Sequence, residues 1–313
     1  SGAEPLPSWS DGAAKQRVLA FVEAVTQDGG PSYVAPEDRV AVFDNDGTLW
    51  VEKPTYTQVY FLLDRLQALA PEHPEWKTQQ PYAAALARDM KTLGGFGVPE
   101  LLELLAATHT GMAQEEFEGQ VSHFFATAKH PRWERPYQEL VYQPQLELLQ
   151  FLRSNGFQVF IVTGGGRDFV REISEVVYGV PRQMVVGSAL QTRFEMAAGR
   201  PRLLRLPEIA EPIDDKAGKP VNIERSIGRI PILAVGNSDG DLQMLQYSTA
   251  HGARSLQVLV HHDDAEREYA YDHGAEKALA AAAEHGWVVV SMKNDFRRVF
   301  PFEAPGEKER RER

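Results

Sequence analysis

The chain of 313 residues contains no cysteine. That absence excludes disulfides, thiol nucleophiles and zinc–thiolate sites, and it is neutral about compartment, since such a chain tolerates either redox environment. No apolar run approaches the ~20 residues of a spanning helix, so no membrane span is expected. Basic stripes are missing as well. The formal charge is -11, and cations gather only at the very end, from Lys308 to Arg313. An acidic surface repels the phosphate backbone, which argues against a nucleic-acid partner. The terminal EKERRER alternates in sign and reads as a solvated charged tail over 306–313. Internal repeats and low-complexity blocks are absent too.

What remains is ordinary globular composition, 43% hydrophobic and 25% charged, enough for a core domain plus a smaller one. The start, SGAEPLPSW, is polar and carries two prolines. It suits either a cloning remnant or a mature end left by signal-peptide removal.

Five short apolar runs lack strict alternation and therefore suit buried parallel strands: RVAVFD (39–44), FQVFIVT (157–163), IPILAVG (230–236), SLQVLVH (255–261) and WVVVSM (287–292). Helical patterns flank them. AAKQRVLAFVEAVT (13–26) spaces Val18, Phe21, Val22 and Val25 on one face, with Ser10 or Asp11 as its cap. QLELLQFLRSNG closes at Gly156, and DFVREISEVVYG closes at Gly179. Strands alternating with helices predict a Rossmann-like α/β fold, a parallel sheet with helices on both faces. Between Thr55 and Tyr137 the rhythm breaks into four helical segments with no strand candidate, which predicts an inserted all-helical domain. The expected division is 1–52 and 140–305 for the core and 53–139 for the insertion. Alternation over 183–206 predicts an antiparallel hairpin turning at Ala198-Gly199.

Chemistry concentrates at strand ends. FDNDGTLW (43–50) sets Asp44 and Asp46 two residues apart just beyond a buried strand. Two neighbouring carboxylates need a cation or a shared proton to relieve their repulsion. VTGGGRDF (162–169) offers the Thr163 hydroxyl and glycine amides at a helix start, where an anion can approach, though such a turn alone is a weak signal. Lys219, with Lys216 three residues before it, precedes a helical segment; a lone loop lysine is usually only solvated. VGNSDGDLQML (235–245) brings Asn237, Asp239 and Asp241, oxygen ligands that suit a hard cation but lack the distal Glu of a calcium loop.

Taken in that order, the four strings resemble the signature of the haloacid dehalogenase superfamily. The inserted helices are similar to the cap of its phosphoserine-phosphatase-like branch. The resemblance implies a phosphatase in which Asp44 attacks phosphorus and Asp46 serves as acid, then base. Superfamily dehalogenases lack that second carboxylate, because halide leaves without a proton. By the same resemblance Thr163 and Lys219 hold the phosphoryl oxygens, and Mg2+ is held by Asp44, the Asp46 carbonyl and Asn237, with Asp241 orienting a ligand. Asn237 departs from the pattern, since many members have Asp there.

Asn45, Gly164, Gly165 and Arg167 are further candidates for phosphate contact, with a surface salt bridge as the plain alternative for Arg167. Trp50 and Glu52 are placed to face substrate. His261, His262, Asp263 and Asp264 either line the pocket or cap a helix start, the blander account. His109, His123 and His130 lack metal-ligand spacing and read as structural, and Phe61, Phe117, Phe124 and Phe125 as cap core. A small phosphomonoester is the expected partner. Phosphotransfer to a second hydroxyl, pyrophosphatase or nucleotidase chemistry, and non-catalytic binding are the rivals. The AEPLPSWSDG and HHDDAERE strings also resemble a bacterial group that often carries export signals, which favours periplasm over cytoplasm.

Overall fold

The computed structural model describes residues 3–303, so the charged tail at 306–313 lies outside the described residues. Eight strands occur among them: β1 (Val40–Phe43), β2 (Gln158–Gly166), β3 (Val185–Ser188), β4 (Leu190–Ala197), β5 (Arg200–Ile209), β6 (Leu233–Gly236), β7 (Leu256–His261) and β8 (Val288–Ser291). Six form one sheet in the order β3-β2-β1-β6-β7-β8, with every neighbouring pair parallel.

Both faces of this sheet are covered, which is why its strands read as unbroken apolar runs. Ala41, Phe43, Ile161, Leu233 and Val235 point into one buried layer with Val18 and Val22 of the first helix and Leu148 and Leu152 of helix Gln143–Ser154. Val40, Val42, Val162 and Ala234 point into the other with Ile223, Met244, Leu245 and Ala278. The chain therefore adopts the expected α/β fold, a parallel sheet between two helical layers.

From β1 the chain runs outward through β2 to β3, then returns to β6 and runs the opposite way through β7 to β8. The reversal leaves a crevice beyond the carboxyl ends of β1 and β6, where sheets of this kind bind ligands.

The inserted segment folds as helices Thr57–Leu69, Tyr82–Ala87, Met90–Leu93, Val98–Thr108 and Gln114–Thr127. Its second predicted segment, PYAAALARDMKTLGG, breaks in two because Arg88 is left-handed (φ 50) and Asp89 caps a new start through Thr92 N at 3.3 Å. An aromatic cluster fills the interior. Phe61 stacks on His109 with centroids 4.8 Å apart, and Phe169 from the sheet layer lies 5.5 Å from Phe61 and 5.0 Å from Phe125.

Three expectations need correction. The alternating stretch 183–206 is two elements: Val185 and Val186 are both buried and pair with β2 as an edge strand. The antiparallel hairpin is β4 with β5, turning at Ala198 and Gly199. The first helix is not capped by Ser10 or Asp11; Gly12 holds that place without a side-chain bond, and Asp11 instead faces Lys15 and Arg297. No helix starts at Asp263 or Asp264. Asp263 accepts from Ser291 Oγ and Asp264 from Arg267 N at 3.0 Å, and the next helix begins only at Glu276.

Candidate active site

Asp44 emerges from β1 as its side chain reaches the crevice, 7% exposed. Its Oδ1 accepts from Lys219 Nζ at 3.0 Å and its Oδ2 from Thr48 Oγ1 at 3.2 Å. Lys219 sits in the first turn of helix Gly218–Ser226, not in the loop before it. Its ammonium also reaches Asp241 Oδ1 at 2.7 Å and the Val162 carbonyl at 2.8 Å, which uses all three donors. Lys216, left-handed and exposed, points elsewhere, so the lysine at the site is Lys219.

The fourth motif closes the ring. Asp241 Oδ2 accepts from the amides of Asn237 (2.8 Å) and Ser238 (3.1 Å). With Oδ1 given to Lys219, both oxygens are engaged, so Asp241 positions Lys219 and the β6 turn. Asn237 works in two directions. Its Oδ1 lies 3.1 Å from Thr48 Oγ1 and shares that hydroxyl's one hydrogen with Asp44, while its Nδ2 donates to Glu52 Oε1 at 3.1 Å. An aspartate at 237 has no hydrogen for Glu52, which gives a local reason for the departure to Asn.

Asp46 lies on the other side of the crevice and accepts from the Trp50 indole at 2.9 Å. Trp50 is fully buried, so it orients Asp46 and does not face substrate. Asn45 also turns away, its Oδ1 accepting from Tyr178 at 2.9 Å. Gly164 and Gly165 line the crevice, and behind them the buried Thr163 oxygen accepts from Gly165 N at 3.1 Å. Arg167 is spent elsewhere. Its Nε donates to Asp168 Oδ1 at 3.0 Å, and it lines a separate surface cleft with Arg171 and Arg225. The salt-bridge alternative is therefore the one found.

Several supporting residues carried little sequence signal. Glu52 lines the crevice and accepts from Tyr271 at 2.8 Å. Tyr271 stacks on His262 at 4.4 Å, and His262 bonds the Gly47 carbonyl at 2.7 Å and Glu268 at 2.6 Å. Since a carbonyl and a carboxylate only accept, both ring nitrogens donate and His262 is an imidazolium. Burial opposes that charge, but Glu268 outweighs it and raises the pKa. The HHDD string was visible in the sequence; that one of its histidines props Gly47, itself left-handed at φ 80, was not. Gln58, which accepts from Gly166 N at 2.8 Å, had no signal at all.

Electrostatically the crevice is short of positive charge. Asp44, Asp46, Glu52, Asp215 and Asp241 line it against Lys219 alone. Burial and then Asp241 push Asp44 well above the usual carboxylate range, only partly offset by Lys219. Burial likewise lifts Asp46 to about 7. Among the described residues no group of three or more His, Asp or Glu is arranged to cage a metal unaided. The oxygen donors on hand, one carboxylate and one amide beside a surplus of negative charge, fit Mg2+, which binds through few protein oxygens and retains water.

The cap closes the top. Tyr56, Val98 and Leu101 line the same space, and a side chain at Gly164 would meet Val98 Cγ2 at 2.7 Å. The enclosed volume is about 30 Å3, room for roughly one water molecule.

A family model for haloacid dehalogenase-like hydrolases matches residues 41–246. The chain belongs to that family. This hydrolase also resembles solved structures. A conserved protein of unknown function from Anaerococcus prevotii DSM 20548 is 16% identical, with 88% of this chain and 90% of that one covered and a TM-score of 0.56. A phosphoserine phosphohydrolase-like protein from Francisella tularensis is 13% identical over 83% of this chain and 95% of its own, with a TM-score of 0.43. At 16% identity the likeness to the first of these is one of fold alone. No curated protein matches the sequence.

Proposed function

We propose that this hydrolase is a phosphatase acting on small phosphomonoesters through a phosphorylated Asp44. The observation that carries the reading is the placement of two carboxylates with different partners: Asp44 held by Lys219 at 3.0 Å and Thr48 at 3.2 Å, and Asp46 held by the Trp50 indole at 2.9 Å. Carboxylates oriented by different partners can take different roles.

In the first step an Asp44 oxygen bonds phosphorus as the ester oxygen departs, and Asp46 gives that oxygen its proton. In the second, Asp46 takes a proton from water, which attacks phosphorus and releases Asp44. Thr163 offers a hydroxyl and Lys219 its charge to the phosphoryl oxygens. Asp44, Asn237 and the Asp46 carbonyl would hold Mg2+, which supplies charge neutralisation to the phosphoryl group. The helices of 53–139 act as a cap domain. Helix Val98–Thr108 must withdraw to admit substrate, then return to exclude water.

The test is a panel of phosphomonoesters with Mg2+ and with chelator, run beside Asp44→Asn. Phosphate release that needs the metal and disappears in the variant supports the reading. Release that persists in the variant overturns it.

A further inference from the structure

We propose that the alcohol released by this enzyme is small and positively charged, an aminoalkyl alcohol in place of a hydroxy acid; this deepens, and rests on, the phosphatase reading. Asp44, Asp46, Asp241 and Lys219 are taken up by the phosphoryl chemistry. Two carboxylates then remain on the crevice wall, Glu52 and Asp215.

Asp215 approaches Gly240 and Gly164 closely: side chains built there would meet its Oδ1 at 2.4 and 3.6 Å. It therefore stands on the crevice wall between the second and fourth motifs. Glu52 lines the same crevice from the first-motif side, fixed by Tyr271 and Asn237. Tyr56 completes that wall, and its phenol lies within electrostatic reach of Glu52, Asp46, Asp215 and Asp44. An aromatic ring among carboxylates is the setting in which an ammonium group is held.

The complementary charge is missing. Among the described residues Lys219 is the only cation lining the crevice, and its three donors reach Asp44, Asp241 and the Val162 carbonyl. Lys53 is bound to the Gly94 carbonyl and lies over the Tyr271 ring, and Lys216, beside Asp215 in the chain, is exposed and does not line the crevice. His262 is committed to Glu268 and Gly47. A leaving group bearing a carboxylate, that of phosphoserine included, would enter with no partner and face two like charges, and both costs grow as the cap expels water.

The experiment compares kcat/KM for 2-aminoethyl phosphate, ethyl phosphate and 2-phosphoglycolate with the unmodified chain and Mg2+. These differ in charge at nearly constant size. The expected order is aminoethyl over ethyl by about tenfold, the value of one partly screened charge contact, and phosphoglycolate below both. Asp215→Asn should shrink the aminoethyl-to-ethyl ratio. Equal rates, or a preference for phosphoglycolate, overturn the inference while leaving the phosphatase intact. A ratio unchanged in folded Asp215→Asn also overturns it. No turnover of any of the three by a chain that binds Mg2+ sinks the phosphatase reading, and the inference with it. The comparison on the unmodified chain decides the matter even if the variant does not fold.

Discussion

The two sides of the crevice are built on different principles. On the sheet side, Asp44, Thr48, Lys219, Asn237 and Asp241 are tied to one another by hydrogen bonds of 2.7 to 3.2 Å, and each carries a polar or charged group. On the cap side, Val98 and Leu101 touch the same space with aliphatic surface, and Tyr56 is the polar member. One side is rigid and fully specified; the other closes by packing. The difference teaches that reaction and selection are separable here, and that each can be damaged alone.

The largest effect should come from the sheet side. Asp44→Asn keeps the shape and removes the nucleophile, so kcat should fall on the order of 10^4-fold. Val98→Ala or Leu101→Ala should change kcat by less than about tenfold and raise KM, because apolar contacts of the cap act on binding and closure. Equal losses on the two sides in steady-state kinetics would end the comparison drawn above.

Stability should show the same asymmetry. Lys219→Ala leaves Asp44 and Asp241 facing each other without their shared ammonium, an arrangement costing about 3–5 kcal/mol. Phe169→Ala, which opens the aromatic cluster between cap and core, should cost about as much through a cavity. The two separate on adding salt or acid in denaturant melts. Protonating a carboxylate relieves the first and does nothing for the second.

Asn237→Asp tests the junction. It places a third carboxylate near Asp44 and directly against Glu52. Expected is Mg2+ activation at roughly tenfold lower metal concentration, from the added charge, with lower melting temperature in chelator. If affinity does not rise, position 237 is not among the ligands.

How much of this could be read in the sequence follows from the same asymmetry. The strand tips were legible because buried parallel strands are short apolar runs and the residues leaving them are fixed in number: Asp44 and Asp46 follow β1, Thr163 lies in β2, Asn237 and Asp241 follow β6. Lys219 was legible by its distance from Asp241 but not by its place inside a helix. The wall was mostly illegible. Gln58 holds Gly166 from a cap helix, Tyr271 holds Glu52 from a loop, and Asp215 lines the crevice from another, and contacts made across 219 residues, as between Glu52 and Tyr271, leave no local period. Trp50 and Arg167 misled for a related reason. Nearness in sequence to a motif does not say which way a side chain turns, and here Trp50 turns inward to Asp46 and Arg167 toward Asp168. Val185 and Val186 were drawn into a hairpin because a sheet edge strand and an antiparallel arm share the same composition.

The last predicted effect concerns acid. His109 stacks on Phe61 within the cap, where burial and then Arg205 lower its pKa to about 3. His130 donates to the Lys53 carbonyl and accepts from Arg132 N, a neutral tautomer, and burial lowers it to about 4. In the unfolded chain both titrate near 6.5. Each is thus protonated in the unfolded state before the folded one, so its contribution is intact above pH 6.5 and is lost as pH falls toward 4 and 3. The slope is about 1.4 kcal/mol per pH unit for each group. Asp214 on the sheet side runs the other way. Burial raises it to about 7, so the folded state gains its proton first and is favoured as pH falls from 7 toward the usual carboxylate value. The whole-protein curve sums these opposing parts, so the informative measurement is a difference. Between pH 6.5 and 4, the stability of His109→Gln should fall less steeply than that of the parent chain, by about the slope of one group. Parallel curves would mean that His109 takes up its proton without disturbing the cap, and that the cap side of the crevice is wetter than its aromatic packing implies.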